Sequence, residues 1–265
     1  MQFSVLASGS TGNSLYVETE QVRILIDAGL SGKQITERLS LVGADPATLT
    51  AIFVSHEHID HVKGVGVLAR KYQIPIYMNE ATWRNLPSSV GEISPTLQHI
   101  FPVHSSIELK NIRIESFPIS HDAAQPMNFW IANRDAKLAV VTDLGYVNQK
   151  IVDRVTDVDT LIWESNHDVE MLRMGAYPWS VKRRILSDVG HLSNEDAAVA
   201  LTDILKGKGE NVYLAHLSKD NNLRELAHMT VKNILEETGL RKNRDFHLHP
   251  TFDDKPTPLR KVRTS

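Results

Sequence analysis

The apolar run Ala51-Ile52-Phe53-Val54 reads as a buried strand, and it ends in Ser55-His56-Glu57-His58-Ile59-Asp60-His61. Residues two apart on extended backbone point the same way, so His56 and His58 can aim their imidazoles at one point beyond the strand end. Asp60 and His61 follow where the chain turns into a helix, and can reach a second point close by. Four ligand-type side chains in six positions suit two adjacent metal ions, a pattern that a polar surface loop has no need of. A hexapeptide cannot finish two such sites, because a catalytic ion takes about three protein ligands plus a water-derived group. The fold must therefore bring further ligands to the same edge from the ends of other strands.

Three residues fit that requirement. His121 lies in Pro118-Ile119-Ser120-His121-Asp122, just after the apolar run 112–117, and His216 directly follows Val212-Tyr213-Leu214-Ala215. Asp143 closes the run 138–141, where a carboxylate can bridge two ions. Each alone is as readily a satisfied core or surface residue; the hexapeptide asks for them as a set. The chain has twelve His and no Cys, which excludes disulfide scaffolds, thiolate zinc sites and cysteine nucleophiles. Two divalent ions held by nitrogen and oxygen are expected: Zn²⁺ first, with Mn²⁺ or Fe²⁺ also accepted by such donors. Of the other histidines, His99 and His104 fall in a loop-like stretch flanking Pro102. His228 falls inside a helix, and His247 and His249 alternate on a late strand; structural roles are the default for these.

Short strands are expected at 2–7, 14–17, 22–26, 51–54, 76–78, 112–117, 129–132, 138–141, 159–163 and 212–215. Helices are expected at 31–42, with Ser31 as a cap, and at 65–72, 178–186, 194–205 and 223–238. Strands dominate first and helices alternate in later, which favours an α/β fold of two helix-covered sheets over a doubly wound parallel sheet. One domain over 1–252 is expected. The formal net charge of −3 hides an asymmetry, since 241–265 holds seven Lys/Arg against three Asp. The stretch 253–265 reads as a basic tail, either solvated and flexible or touching phosphate. No apolar run approaches a membrane span and no secretory signal is visible, so a cytoplasmic protein without membrane contact is expected.

Residues 56–61 match the His-x-His-x-Asp-His signature of the metallo-β-lactamase superfamily, and the whole chain resembles that family in motif order. The resemblance implies an αβ/βα four-layer sandwich with the metals at one edge. It implies a first ion on His56, His58 and His121, a second on Asp60, His61 and His216, and Asp143 between them. Asp27, in Leu25-Ile26-Asp27-Ala28-Gly29, matches the family's early Asp, a buttress for the metal loop; a strand-end turn residue is the plain alternative. His58 stands where oxygen-reducing members carry Glu, which argues for hydrolysis. Only 72 residues separate Asp143 from His216, too few for an inserted β-CASP cap.

A sharper likeness runs through Leu161-Ile162-Trp163-Glu164-Ser165-Asn166-His167-Asp168, Gly175-Ala176-Tyr177-Pro178, Lys182-Arg183-Arg184 and Gly190-His191-Leu192-Ser193-Asn194-Glu195. With the opening Ala7-Ser8-Gly9-Ser10-Thr11-Gly12-Asn13-Ser14, it resembles the YycJ/WalJ-like branch of bacterial nucleases, cap-less relatives of larger nucleases. That implies a metal-dependent exonuclease on DNA rather than RNA, running 5′-to-3′, with a metal-activated bridging hydroxide as nucleophile oriented by Asp60. The residues agree with phosphodiester chemistry. Lys182, Arg183 and Arg184 offer cations to a backbone, or form an exposed basic helix face. Ser193 or Asn194 can cap a helix whose N–H groups meet a phosphate. His191 can donate a proton to the leaving oxygen, or serve a structural cap. His167 and Asn166 can touch substrate or pack as structural polar groups. The rival reading is a small-molecule hydrolase of the same fold, acting on a cyclic phosphodiester, thioester or lactone; a binding module without turnover would show a broken ligand set.

Overall fold

A computed structural model describes residues 1–262. By its contacts the chain forms two compact units, one of residues 1–118, 123–135 and the C-terminal stretch from 251, the other of 119–122 and 136–250. The first is built on a seven-stranded mixed sheet. Its strands are β1 (Gln2–Ala7), β2 (Ser14–Glu18), β3 (Arg23–Ile26), β4 (Ala51–Phe53), β5 (Ile76–Met78) and β6 (Gln98–Ile100), in that spatial order, with Arg260–Lys261 added outside β1. β1 to β3 pair antiparallel and β3 to β6 parallel. The switch follows from the connections: tight turns join the first three strands, and helices cross over between the rest.

Helix α1 (Gly32–Leu41) begins at Ser31, whose side chain and that of Gln34 form a reciprocal capping box. Its Ile35 and Leu39 join Leu25, Ile52, Leu68 and Ile76 in one buried cluster under the sheet, with α3 (Val65–Tyr72) beside α2 (Ile59–Val62) and α4 (Glu80–Arg84) following in the chain. A three-stranded antiparallel meander completes the unit: β7 (Ser106–Leu109), β8 (Ile112–Pro118) and β9 (Met127–Asn133). His99, expected in a loop, lies on β6, its ring stacked 4.7 Å from Tyr77. Three polar-flanked residues carry no alternation to read; pairing with β5 supplies the strand.

The basic tail is packed as far as it is described. Thr257 N donates to Val5 O and the Thr257 hydroxyl accepts from Val5 N, while Val262 is fully buried. Residues 263–265 of the expected tail lie outside the described residues.

In the second unit, β10 (Ala136–Val141), β11 (Thr160–Glu164), β12 (Glu210–Ala215) and β13 (Phe246–Pro250) run parallel and in sequence order. The connections are α5 (Gln149–Val155) between β10 and β11; α6 (Val169–Met174), α7 (Trp179–Ile185) and α8 (Asn194–Ile204) before β12; and α9 (Arg224–Glu237) before β13. Trp163 is fully buried and its indole N–H donates to Ala197 O on α8 at 3.1 Å, which locks helix to strand. The parallel register places the C-terminal ends of β10, β11 and β12 side by side, where open α/β sheets present functional groups. No helix among the described residues is long and apolar enough to cross a membrane.

Candidate active site

In the first unit the histidine loop leaves β4 and enters α2, and one buried carboxylate organises it. Asp27 directly follows β3 and sits in the left-handed region, φ 60°, an unusual place for a residue with a Cβ. One oxygen accepts from Ser55 N at 2.8 Å; the other accepts from Ser55 Oγ and pairs with His61 Nδ1, each at 2.8 Å. A carboxylate can only accept, so Nδ1 of His61 carries the hydrogen and Nε2 keeps its lone pair. Ser55 Oγ, its proton given to Asp27, accepts in turn from His56 Nδ1 at 2.9 Å. That leaves His56 Nε2 as a lone-pair donor, and it lies 3.1 Å from His58 Nδ1. Two ring nitrogens converge there, as they would to share one cation.

Beside them His61 Nε2 stands 3.6 Å from Asp60 Oδ2. Asn13, from the turn-rich opening segment, reaches both with Nδ2, at 3.1 Å and 3.4 Å, and its backbone N–H donates to Asp60 O. The packing is close enough that Gly29 has no room for a side chain: a Cβ there would stand 1.6 Å from Asp60 O.

In the second unit the strand ends converge in the same manner. Asp143 after β10 and His216 after β12 both sit in the left-handed region, with φ 60° and 55°. Asp143 Oδ1 lies 3.4 Å from His216 Nδ1 and 3.9 Å from both His191 Nδ1 and His121 Nε2. At the centre is Glu164, the fully buried last residue of β11. Its Oε1 is 2.9 Å from Nδ1 of His191 and 2.9 Å from Nδ1 of His216, and accepts from Asp143 N; its Oε2 accepts from Leu144 N and Leu192 N at 3.1 Å. Burial alone would raise the Glu164 carboxyl pKa. The charge of His191 and the hydrogen bonds from both imidazoles outweigh it and hold the group below the usual carboxylate range. In both histidines Nδ1 is thus the nitrogen that carries the hydrogen, and Nε2 keeps its lone pair. His121 is positioned by Gly190 O at 3.2 Å from its Nδ1. Burial lowers its pKa, against the opposing pull of Asp143, which favours the neutral ligand form.

Asp143, Glu164, His191 and His216 each offer a ligand atom within 4.8 Å of the others. Nitrogen and carboxylate donors with tautomers fixed by buried acids suit divalent transition ions. The sequence pointed to His191, Asp143 and His216 but passed over Glu164, Asn13 and Ser55. Glu164 carried a readable signal: like Asp143 and His216, it is a polar group closing an apolar strand.

The expected substrate contacts take various places. Asn166 donates to His216 O at 2.8 Å and so holds the left-handed turn of that residue. Ser193, rather than Asn194, caps α8 by accepting from Asp196 N. Asn194 is buried and bonded to Ser165 and Asn222. The Lys182 ammonium donates to Arg173 O and Gly175 O, both at 2.7 Å, which ties α7 back onto the end of α6. The Arg183 side chain is exposed and makes no hydrogen bond or ion pair with a described residue. His167 is 1% exposed with neither ring nitrogen hydrogen-bonded, and burial pushes its pKa down to about 4.

Residues 22–217 match the model of the Beta-lactamase superfamily domain. The chain is 48% identical over 99% of its length to a Bacillus anthracis protein named Exodeoxyribonuclease YycJ, 99% of which is covered. It is 46% identical to Exodeoxyribonuclease WalJ of Streptococcus pneumoniae strain D39, over 98% of both chains. Among solved structures, the metallo-β-lactamase fold protein YhfI from Bacillus subtilis superposes with a TM-score of 0.71 at 14% identity, over 97% of this chain and 99% of that one. The strand-end histidines and carboxylates, the signature at 56–61 and this full-length likeness agree: the chain belongs to the β-lactamase superfamily and has the α/β metallo-β-lactamase fold.

Proposed function

We propose that this protein is a metal-dependent phosphodiesterase that degrades DNA from an end, 5′-to-3′, in the bacterial cytoplasm. The observation that carries the reading is the likeness, over nearly the whole chain, to two relatives named exodeoxyribonuclease. The geometry supports it through Glu164, which holds His191 and His216 alike. The family pattern assigns His56, His58 and His121 to one divalent ion and Asp60, His61 and His216 to a second, with Asp143 shared. Zn²⁺ is the first candidate; Mn²⁺ or Fe²⁺ fits the same donors.

Bound divalent ions supply Lewis-acid activation of water and neutralise charge on the phosphoryl oxygens. The chain's own groups do the rest. Asp60, at the edge of the histidine cluster, orients the attacking water. His191 is not called on by the family's ligand pattern. Fixed through Nδ1 by Glu164, it keeps Nε2 for the reaction and passes a proton from it to the departing oxygen. Glu164 stabilises the imidazolium before that transfer. Its buried carboxylate is the third group that orients the acid.

End-labelled single- and double-stranded DNA and RNA, incubated with chelated protein to which Zn²⁺ or Mn²⁺ is added back, test the reading. Mononucleotide release from DNA, beginning at the 5′ end and dependent on added metal, is the expected result. No polymer degradation, with turnover of a cyclic phosphodiester, thioester or lactone instead, overturns it in favour of a small-molecule hydrolase.

A further inference from the structure

Trp179 opens α7 with 63% of its surface exposed, and Met174, at the end of α6, is 86% exposed. Trp163 is buried and Trp83 and Trp130 are half-buried, so Trp179 is the exposed indole among the described residues. Arg183 lies four residues on, so its guanidinium shares the helix face with the ring. It is exposed and bonded to no described residue. The platform is also stiff. The Lys182 ammonium stands 5.6 Å from the Trp179 ring centroid while anchored to two backbone carbonyls, which braces the ring from within and leaves most of it open.

The far end of α7 is tied to the catalytic groups. Ile185 O accepts from His191 N at 3.0 Å, and Arg184 pairs with Asp122, the neighbour of His121. Asp122 N donates to Val189 O, and a Cβ on Gly190 would stand 2.1 Å from Ile185 O, so the link has no slack. Six residues of helix, at about 1.5 Å each, put Trp179 roughly 9 Å from the Ile185–His191 bond. That span is about three nucleotide steps of 3.4 Å.

We propose that the Trp179–Arg183 face of α7 binds single-stranded DNA, the indole stacking on a nucleobase a few nucleotides from the cleaved bond and the guanidinium pairing with the adjoining phosphate. This rests on the phosphodiesterase reading above. Charge selects the partner, since an unpaired cation beside an open aromatic ring matches a phosphate beside a base. Strandedness follows from stacking: within a duplex both faces of a base are already covered, whereas an unpaired base offers one.

The test is binding of a nuclease-resistant phosphorothioate oligo(dT) to the metal-loaded protein, followed by tryptophan fluorescence and by anisotropy of a labelled oligonucleotide. Wild type should show quenching on binding. W179F should bind within a few-fold of wild type but lose the quenching, and W179A should bind about tenfold or more weakly. R183Q should lower the salt dependence of binding by about 0.7 in logarithmic slope, the share of one phosphate. M229A, at an exposed site on α9, is the control for surface change, and thermal melts show that each variant is folded. Equal oligo(dT) affinity in W179A and wild type overturns the proposal, as does a loss confined to blunt duplex. If wild type degrades no DNA at all, the phosphodiesterase reading itself has failed; if it degrades DNA and W179A binds normally, this inference alone has.

Discussion

Asp27 Oδ2 accepts the Nδ1 hydrogen of His61 at 2.8 Å, and the same carboxylate holds Ser55, which in turn fixes His56. One buried acid therefore sets the tautomers of two expected ligands. Asp27→Ala should remove that control while leaving every ligand in the chain. Metal affinity should fall roughly 10–100-fold, the usual cost of losing such an outer partner. Competition with a chelator of known affinity measures it. Unchanged affinity in a folded Asp27→Ala protein would mean that Asp27 is only a turn residue.

Glu164 is the corresponding residue of the second unit, with a heavier duty. Its two oxygens meet five donors, two of them imidazoles. Glu164→Gln keeps the shape but replaces one acceptor with a donor, so a backbone N–H or a histidine must lose its partner. Turnover should drop at least 100-fold with KM changed far less, because His191 loses the carboxylate that orients it. Equal turnover in a folded Glu164→Gln protein would show that the carboxylate's charge plays no part in the reaction.

The ends of the strands were legible in the sequence because an apolar run closed by a ligand-type residue is a local pattern. His56, His58, Asp143 and His216 all follow it. What orients them was less legible. Asn13 lies in a turn-rich segment where Asn is expected for backbone reasons, and its bonds to Asp60 and His61 span 47 and 48 residues. The left-handed backbone at Asp27, Asp143 and His216 leaves no mark in composition, since Asp and His tolerate it without Gly. Lys182 looked like a phosphate contact because a basic triplet on a short helix does not reveal which member turns inward. Burial of its stem and two carbonyl acceptors decide that.

The C-terminal stretch makes a separate prediction. Arg38 is buried and donates to Leu6 O at 2.8 Å and to Asp253 O at 2.7 Å, while Ser4 Oγ and Val5 N reach Thr257. Deleting 253–265 removes Asp253 and Thr257, exposes the sheet edge at β1 and takes one of two carbonyl acceptors from the buried Arg38 guanidinium. A hydrogen bond lost from a buried charged group costs about 1.5–3 kcal/mol. Truncation should therefore lower the urea midpoint sharply, whether or not DNA is bound. If the truncated chain melts like the full one, the stretch is dispensable for folding and its basic residues become candidates for phosphate contact.

His167 supplies a prediction about acid stability. Burial holds its pKa at about 4 in the folded protein, against an ordinary value of 6.5. The folded state therefore binds fewer protons than the unfolded chain between those limits, so stability rises with pH across the window and is flat on either side. The stabilisation present above pH 6.5 should be lost progressively as pH falls toward 4. The shift corresponds to about 3 kcal/mol at roughly 1.4 kcal/mol per unit. His167→Leu removes the titrating group from a site where neither ring nitrogen has a hydrogen-bond partner among the described residues. Urea unfolding at a series of pH values should then give two curves that part below pH 6.5, wild type losing more. Because His121 and His228 are also lowered by burial, the variant will keep some acid sensitivity, and the difference between the curves is the quantity that reports on His167. Parallel curves from pH 7 to 4 would show that the imidazole is protonated or paired in the fold, contrary to the buried neutral ring described above.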